Sequence, residues 1–383
     1  MSRSARDQNK RKFASVPYLS PSLAITLTVL VSYAVAQALV LSAHKHGHLT
    51  MDLPGAVQKF HFDPTPRVGG IAIYIAVVIA WLWAPGAGER KLLTTLLLAG
   101  MPALFIGLLE DVTKRVGVRT RLLVTMASGA LAVWLSGVAL TRVDMPFVDM
   151  MLAFWPVALL FTAFAVGGVA NAINIIDGFH GLASGTVIIS LAALAGIAFS
   201  VGDTPLALVA VLVAASVAGF WLVNFPWGKL FLGDGGAYFS GFALAWLSVE
   251  LLARNPGVSP WASVLVCGYP TIEVLYSVLR RRRVRQSPGE ADRRHLHSLV
   301  ATQVIQPRLR QMHPNLRNAS VSLVMWPCAI VPVLPAVLFY SRPEILLPSL
   351  AGCLLAYHLV YRRVAATATP GSIPEAATAD GRA

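Results

Sequence analysis

Apolar residues in this chain neither alternate nor keep to one side of a helical repeat. They come in long blocks separated by short polar stretches. A helix needs about 17–25 such residues to cross the hydrocarbon of a bilayer. Eleven blocks read that way: Pro21–Ala43, Gly69–Pro85, Leu92–Leu109, Leu122–Leu140, Met150–Ala170, Gly185–Val201, Leu206–Val223, Gly236–Leu252, Pro260–Leu279, Ala319–Tyr340 and Ile345–Tyr361. The expected fold class is all-α, a polytopic integral membrane protein with about eleven transmembrane helices. One transmembrane domain, 21–361, is expected between a polar basic N-terminal tail, 1–20, and a flexible C-terminal tail, 362–383. The first block is long and lacks a small-residue cleavage site, so it reads as a span and not a secretory leader.

Composition agrees. The 383 residues are 56% hydrophobic and only 13% charged, which excludes an ordinary soluble domain. Charge then orients the spans. Loops after odd-numbered spans, with the C-terminal tail, hold 21 of the 31 Lys and Arg; loops after even-numbered spans hold 5. The positive-inside rule makes the odd side cytoplasmic, with loops 44–68, 110–121, 171–184, 224–235 and 280–318. The exception is the N-terminal tail, whose Arg3, Arg6, Lys10, Arg11 and Lys12 then lie outside. The Arg280–Arg283 cluster is the stronger signal. Because the basic residues are dispersed among these loops, the net charge of +13 points to anionic lipid headgroups and away from nucleic acid. Cys267, Cys328 and Cys353 all fall inside spans without paired spacing and read as packing residues.

The chemistry gathers on the odd side. Between two apolar blocks runs NAINIIDGFHGLASG, 171–185. If the preceding helix continues into it, Asn171, Asn174 and Asp177 share an arc of roughly 120°. Two amides and a carboxylate followed by glycines suit a hard cation holding a phosphorylated substrate; capping of the next helix is the plainer alternative. His180 follows in the same run. In the first cytoplasmic loop, Lys59, His61 and Arg67 sit near Pro64 and Pro66 and could present charge to a phosphate, or simply form a basic surface loop. His44, His46 and His48 read as a solvated tract. Glu110 and Asp111 end the third span, where the helix dipole and their mutual repulsion disfavour both, so a cation or Arg121 is expected nearby. Asp234 stands among glycines in FLGDGGAYFSGF. The longest loop carries Asp292, Arg293, Arg294, His295 and His297, a set able to hold a diphosphate. Within the spans only Glu250 and Glu273 stand out, and no internal repeat is visible. An enzyme at one membrane face fits this asymmetry better than a transporter, whose ionisable groups belong near the midplane.

Taken together, PTPRVGG at 64–70, Glu110–Asp111, NAINIIDGFHGLASG, FLGDGGAYFSGF at 231–242 and DRRHLH at 292–297 resemble the polyprenyl-phosphate N-acetylhexosamine-1-phosphate transferases, over about Lys59 to Leu299. The wording favours the undecaprenyl-phosphate N-acetylglucosaminyl 1-phosphate transferase-like branch. The resemblance implies transfer of a sugar 1-phosphate from a UDP-N-acetylhexosamine to undecaprenyl phosphate with release of UMP, starting a lipid-linked surface glycan such as O-antigen. It implies Mg²⁺, with Mn²⁺ as the alternative ion, a bacterial inner membrane, and a site facing the cytoplasm. Asn174 and Asp234 become the expected metal ligands. Glu110, Asp111, Asp177 and His295 become the expected catalytic groups. Lys59, His61, Arg67, Arg121, Asn171, His180, Arg294 and His297 become the expected substrate contacts. A second copy of the chain is a further candidate partner, beside membrane lipids. Three positions depart from the family pattern: Glu110 where an aspartate is common, His180 where a second aspartate often follows, and Ser298 in place of a closing histidine. They keep a degenerate, non-catalytic member open as an alternative, alongside a transporter or flippase of lipid-linked sugars.

Overall fold

In the computed structural model, which describes residues 20–52, 64–283 and 294–367, every one of the apolar blocks is helical. In chain order the elements are α1 (Pro21–Leu41), α2 (Ala43–Thr50), β1 (Met51–Asp52), β2 (Thr65–Pro66), α3 (Gly69–Leu82), α4 (Ala87–Thr113), α5 (Val118–Ser136), α6 (Pro146–Leu152), α7 (Trp155–Ile176), α8 (Leu182–Ser200), α9 (Thr204–Asn224), α10 (Gly233–Arg254), α11 (Pro260–Val266) and α12 (Gly268–Arg283). A short helical run over 296–308 follows, then α13 (Pro314–Leu338) and α14 (Pro343–Ala366). Helices apolar on all sides are stable only in lipid or in a core, where their backbone groups bond internally.

Among the described residues nine helices are long and apolar enough to cross a membrane, and ten if α11 and α12, bent by 81°, count as one span. The eleventh block is α3, whose 14 residues rise only about 21 Å. That is short of the roughly 30 Å of hydrocarbon, so length and composition alone support nine or ten spans, not eleven. The protein is an all-α, multi-pass membrane protein; among the described residues the strands are one two-residue antiparallel pair, Met51 opposite Pro66 and Asp52 opposite Thr65.

Several helices outrun their apolar blocks. The helix of the third span continues through Glu110 and Asp111, that of the fifth through Asn174, that of the ninth through Arg283, and the last to Ala366. Helical backbone bonding does not stop at the hydrocarbon boundary, and long arginine stems let charged heads reach water from a helix end. The practical result is that the candidate residues sit on rigid helix ends.

At the centre stands α10, buried at every position from Gly233 to Leu251. It packs against α4 and α7, and its glycines allow this. A Cβ at Gly107 of α4 would overlap the backbone of Gly235, so only glycine lets the two helices meet there.

Candidate active site

The helix ends around α10 put the acidic motifs in one place. Gly233 turns the chain in the left-handed region, at φ 73°, and so aims the N-terminus of α10 at the C-terminus of α4. Asp111, 1% exposed, receives the free amides there. Its Oδ1 accepts from Asp234 N and its Oδ2 from Gly235 N, both at 3.0 Å. A carboxylate at the end of its own helix is disfavoured, but here it caps the positive end of another. That resolves what the acidic pair is doing at the close of a span.

Asp234 is the hub. Its Oδ1 accepts from Arg67 Nη2 at 3.0 Å and from Asn174 Nδ2 at 3.1 Å, and its Oδ2 accepts from Arg121 Nη1 at 2.6 Å. Arg67 also lies 3.4 Å from Asp111 Oδ1 through Nε. Five chain segments therefore converge: the β2–α3 turn, the end of α4, the first turn of α5, the end of α7 and the start of α10. Tyr238, one turn beyond Asp234, donates its hydroxyl to Asn174 Oδ1 at 3.3 Å and so turns the amide NH₂ toward the hub.

Asp177 closes the end of α7. None of the described residues hydrogen-bonds its carboxylate. Burial pushes it up to about 7; Arg67 pulls the other way, and the Asp234 and Asp111 charges add to the rise. Among the described residues, three carboxylates thus stand beside two guanidinium groups, and Asp177 is drawn on by Arg67 alone. Among the described residues no three His, Cys, Asp or Glu side chains form a metal cage by themselves. A Mg²⁺ ion usually takes only one or two carboxylates and completes its shell with water and substrate phosphates, so the donor set fits it.

The histidine loop abuts this centre. His297 meets Phe179 edge-on at 5.8 Å, and its ring lies 3.7 Å from where a Gly178 Cβ would stand. His295 stacks parallel to His297, with ring centroids 5.3 Å apart.

The glycosyl transferase family 4 profile matches residues 93–252, the stretch from α4 to α10 that builds most of this centre. A decaprenyl-phosphate N-acetylglucosaminephosphotransferase of Mycolicibacterium smegmatis is 31% identical over 309 residues, covering 70% of each chain. The chain belongs to glycosyl transferase family 4. Within it, the chain sides with the undecaprenyl-phosphate N-acetylglucosaminyl 1-phosphate transferase-like branch. A probable enzyme of that name from Bacillus subtilis is 29% identical over 241 residues, 63% of this chain and 66% of the relative. One from Escherichia coli K12 is 27% identical over 252 residues, 63% and 67%. The chain thus spans about two thirds of the length of these relatives.

For this family 4 member the remaining candidates divide. Glu110 makes no ion pair within the hub, although its charge is felt at Arg121; its Oε2 accepts Val116 N at 2.8 Å, a reach its extra methylene serves. The departure at Glu110 therefore falls on a residue that braces the α4–α5 loop. Asn171 donates to Thr125 Oγ1 and Gly167 O, both at 2.8 Å, and ties α7 to the helix that carries Arg121. His180 is buried at 4%; its Nδ1 donates to Pro226 O at 3.1 Å, and Asn318 and Ser322 grip its backbone. It also lines a cavity of about 390 Å³ with Thr65, Lys229 and Phe231. Arg294 is exposed, and its carbonyl accepts from Tyr361 at 3.0 Å. Lys59 and His61 lie outside the described residues.

Sequence reasoning missed Tyr238 and Asn224. Tyr238 had a signal, since residues four apart share a helix face and Asp234 was already singled out. Asn224, whose Oδ1 accepts Gly181 N at 2.6 Å and whose Nδ2 donates to Leu230 O at 2.7 Å, joins the two glycine-rich loops. Its partners are 43 and 6 residues away, and nothing local marks them.

Proposed function

We propose that this protein transfers an N-acetylhexosamine 1-phosphate from a UDP-sugar to undecaprenyl phosphate at the cytoplasmic face of a bacterial inner membrane, releasing UMP. A phosphate oxygen of the lipid bonds to the sugar-linked phosphorus of the donor. The bond from that phosphorus to the bridging oxygen breaks, and UMP leaves with the electron pair. The observation that supports this most is the cluster itself, Asp111, Asp177 and Asp234 facing Arg67 and Arg121 at one end of the bundle. Two anionic substrates repel each other, and fixed cationic charge helps them approach. Arg67 and Arg121 are the guanidinium groups in place to receive phosphate oxygens, and Asp111 fixes the amides that set Asp234.

Asp234 and Asp177 are the carboxylates that would hold a Mg²⁺, or Mn²⁺ in its stead; Asn174, its oxygen engaged by Tyr238, would steady Asp234. When bound, the ion would neutralise diphosphate charge as it builds. The cavity beside His180, Lys229 and Phe231 is within the usual size range for a small-molecule site and is lined by Pro66, the chain neighbour of Arg67, which supports a nucleotide donor. The relatives' names point to N-acetylglucosamine as the first sugar to try.

The test is UMP release by purified protein in detergent with undecaprenyl phosphate and a panel of UDP-sugars, with Mg²⁺ or EDTA. Metal-dependent UMP with one donor is expected. Folded wild-type protein that releases no UMP with any donor would sink the proposal and favour a transporter.

A further inference from the structure

The ends of α12 and α14 that lie beside the histidine loop carry cations that none of the roles above uses. Both helices hold that loop. On α12 the buried carboxylate Glu273 accepts the Leu296 amide through Oε1 at 3.1 Å, and on α14 the Tyr361 hydroxyl donates to Arg294 O at 3.0 Å. Between the two helices stands a cluster of rings. Tyr276 packs on Tyr361 with centroids 4.5 Å apart and on Tyr357 at 5.2 Å, and its hydroxyl shares a hydrogen bond of 3.1 Å with His358 Nδ1. Tyrosines of this kind, with an apolar body and a polar tip, gather where hydrocarbon gives way to headgroups.

Arg280, Arg283 and Arg362 all bring positive charge to the Tyr276 hydroxyl. Arg283 ends α12, Arg362 lies near the end of α14, and both are exposed. Among the described residues no acid pairs with either one. A positive-inside bias accounts for arginines at this end of the bundle, but not for two of them meeting over one ring cluster without an acid. Like charges on adjoining helix ends repel, and α14, only 17% buried, has little protein contact to resist that repulsion. A phosphate between the two guanidinium forks would turn repulsion into attraction. The neighbouring surface identifies what carries the phosphate. Leu279 stands one turn before Arg283 and Leu359 one turn before Arg362, 48% and 51% exposed, and Leu275 and Leu355 continue the two apolar strips into the span. Cations beside paired apolar strips match a headgroup phosphate above two acyl chains. We propose that Arg283 and Arg362 hold the phosphate of one anionic diacyl phospholipid, of the phosphatidylglycerol kind, against the ends of α12 and α14. The site goes beyond the transfer reaction and does not depend on it.

The test is native mass spectrometry of the full-length protein titrated with phosphatidylglycerol or phosphatidylcholine, with thermal midpoints measured in nanodiscs of each lipid. Wild-type protein is expected to retain phosphatidylglycerol in preference and to melt several degrees higher in it, as a ligand of the folded state requires. Arg283→Gln/Arg362→Gln should weaken phosphatidylglycerol retention about 25-fold, at about 1 kcal/mol for each basic group, and remove the difference in midpoint. Arg362→Gln alone should lose about fivefold on the same scale. Arg283→Lys/Arg362→Lys, which keeps the charge but not the fork, should lose less than Arg362→Gln. Removing the same charge elsewhere, in the exposed pair Arg308→Gln/Arg310→Gln, should change neither readout.

Equal retention of the two lipids by the wild type would overturn the proposal. So would an equal loss in the Arg308→Gln/Arg310→Gln protein, which would reduce the effect to overall charge. Inorganic phosphate that reproduced the stabilisation would overturn the lipid as occupant. Tighter, Arg362-dependent retention of undecaprenyl phosphate would do the same, by making the site a part of acceptor binding. If the double glutamine variant fails to fold, Arg362→Gln and the lysine pair decide by the same two readouts.

Discussion

The two ends of the helix bundle use aspartate in opposite ways. At one end Asp203, between α8 and α9, faces a single arginine. Arg254 grips both its oxygens at 2.7 Å, Asn255 adds a bond at 3.2 Å and the Leu206 amide another at 3.3 Å. Burial alone would raise this carboxyl, but those four donors hold it below the usual carboxylate range. The Asp203–Arg254 pair itself is matched one to one, with Glu250, Glu89 and Lys91 in its surroundings, and the first turn of α9 is capped by the same carboxylate. At the other end Asp111 and Asp234 share Arg67, Asp234 also takes Arg121, and none of the described residues hydrogen-bonds the Asp177 carboxylate. A balanced carboxylate locks a fold, while a surplus one calls for a ligand. Proteins tolerate that surplus where binding the ligand repays it.

The comparison breaks most sharply in a pair of substitutions. Asp234→Asn should cut UMP release by about 10³-fold, the scale for removing a group that meets developing charge. Its thermal midpoint should fall less than that of the Asp203 variant below, because relieved repulsion with Asp111 and Asp177 offsets part of the lost Arg67 and Arg121 pairs. Asp203→Asn should do the reverse. Breaking a buried pair costs about 3–5 kcal/mol. Here about 1–3 kcal/mol is expected, because Arg254 stays 35% exposed and keeps its hydration. Its kcat should stay within a few-fold of wild type. Because the Asp203 carboxyl is depressed, its stabilisation is present above the usual carboxylate value and is lost as pH falls through the lower folded value. Thermal unfolding and UMP release measured on both variants decide the matter. An Asp203→Asn protein that is stable but inactive would erase the distinction.

Much of this was legible in the sequence because lipid is a demanding solvent. Long apolar blocks have few structural alternatives, so the helices and their order could be read directly. The motifs could also be read as a set, since polar groups at the mouths of spans need partners. What could not be read was direction. Glu110 and Asp111 are neighbours in sequence, yet one braces the α4–α5 loop and the other caps α10. Asn171 and Asn174 share a helix face, yet a turn of difference sends one to Thr125 and the other to Asp234. Those choices depend on which helices pack together, and that is set by glycines such as Gly107 meeting Gly235 across 128 residues of chain. The end of α3 was not legible either: apolar residues beyond Leu82 continue the block but not the helix.

A second way to sharpen the contrast is pH. Asp177 ionises only as pH rises through about 7, so kcat/KM should climb across roughly pH 6–8. Added Mg²⁺ should move that limb to lower pH, because cation and proton compete for the same oxygens. Stability runs the other way. A raised folded value means the folded state holds the proton longer than the unfolded chain does. This contribution to stability is therefore fully present near pH 4 and declines toward pH 7. Asp177→Asn should abolish both slopes. A limb that keeps its position in that variant would assign the titration elsewhere.

The smallest expected effect concerns the residue that steadies the hub without touching substrate. Tyr238→Phe removes one hydroxyl whose bond to Asn174 is 3.3 Å long, a weak one, and leaves the ring packed in a fully buried site. A neutral hydrogen bond of this kind contributes about 0.5–1.5 kcal/mol. Freed of it, Asn174 can turn its oxygen toward Asp234, where like partial charges repel and the amide no longer donates. A three- to tenfold fall in kcat/KM is expected, with Mg²⁺ affinity reduced by a similar factor, since the misaligned Asp234 is the shared cause. Replacing Asn174 by Asp should exceed that loss, because a fourth carboxylate would then face the same two arginines. If Tyr238→Phe weakened UMP release without changing the Mg²⁺ titration, the hydroxyl would be acting on the substrate and not through Asn174.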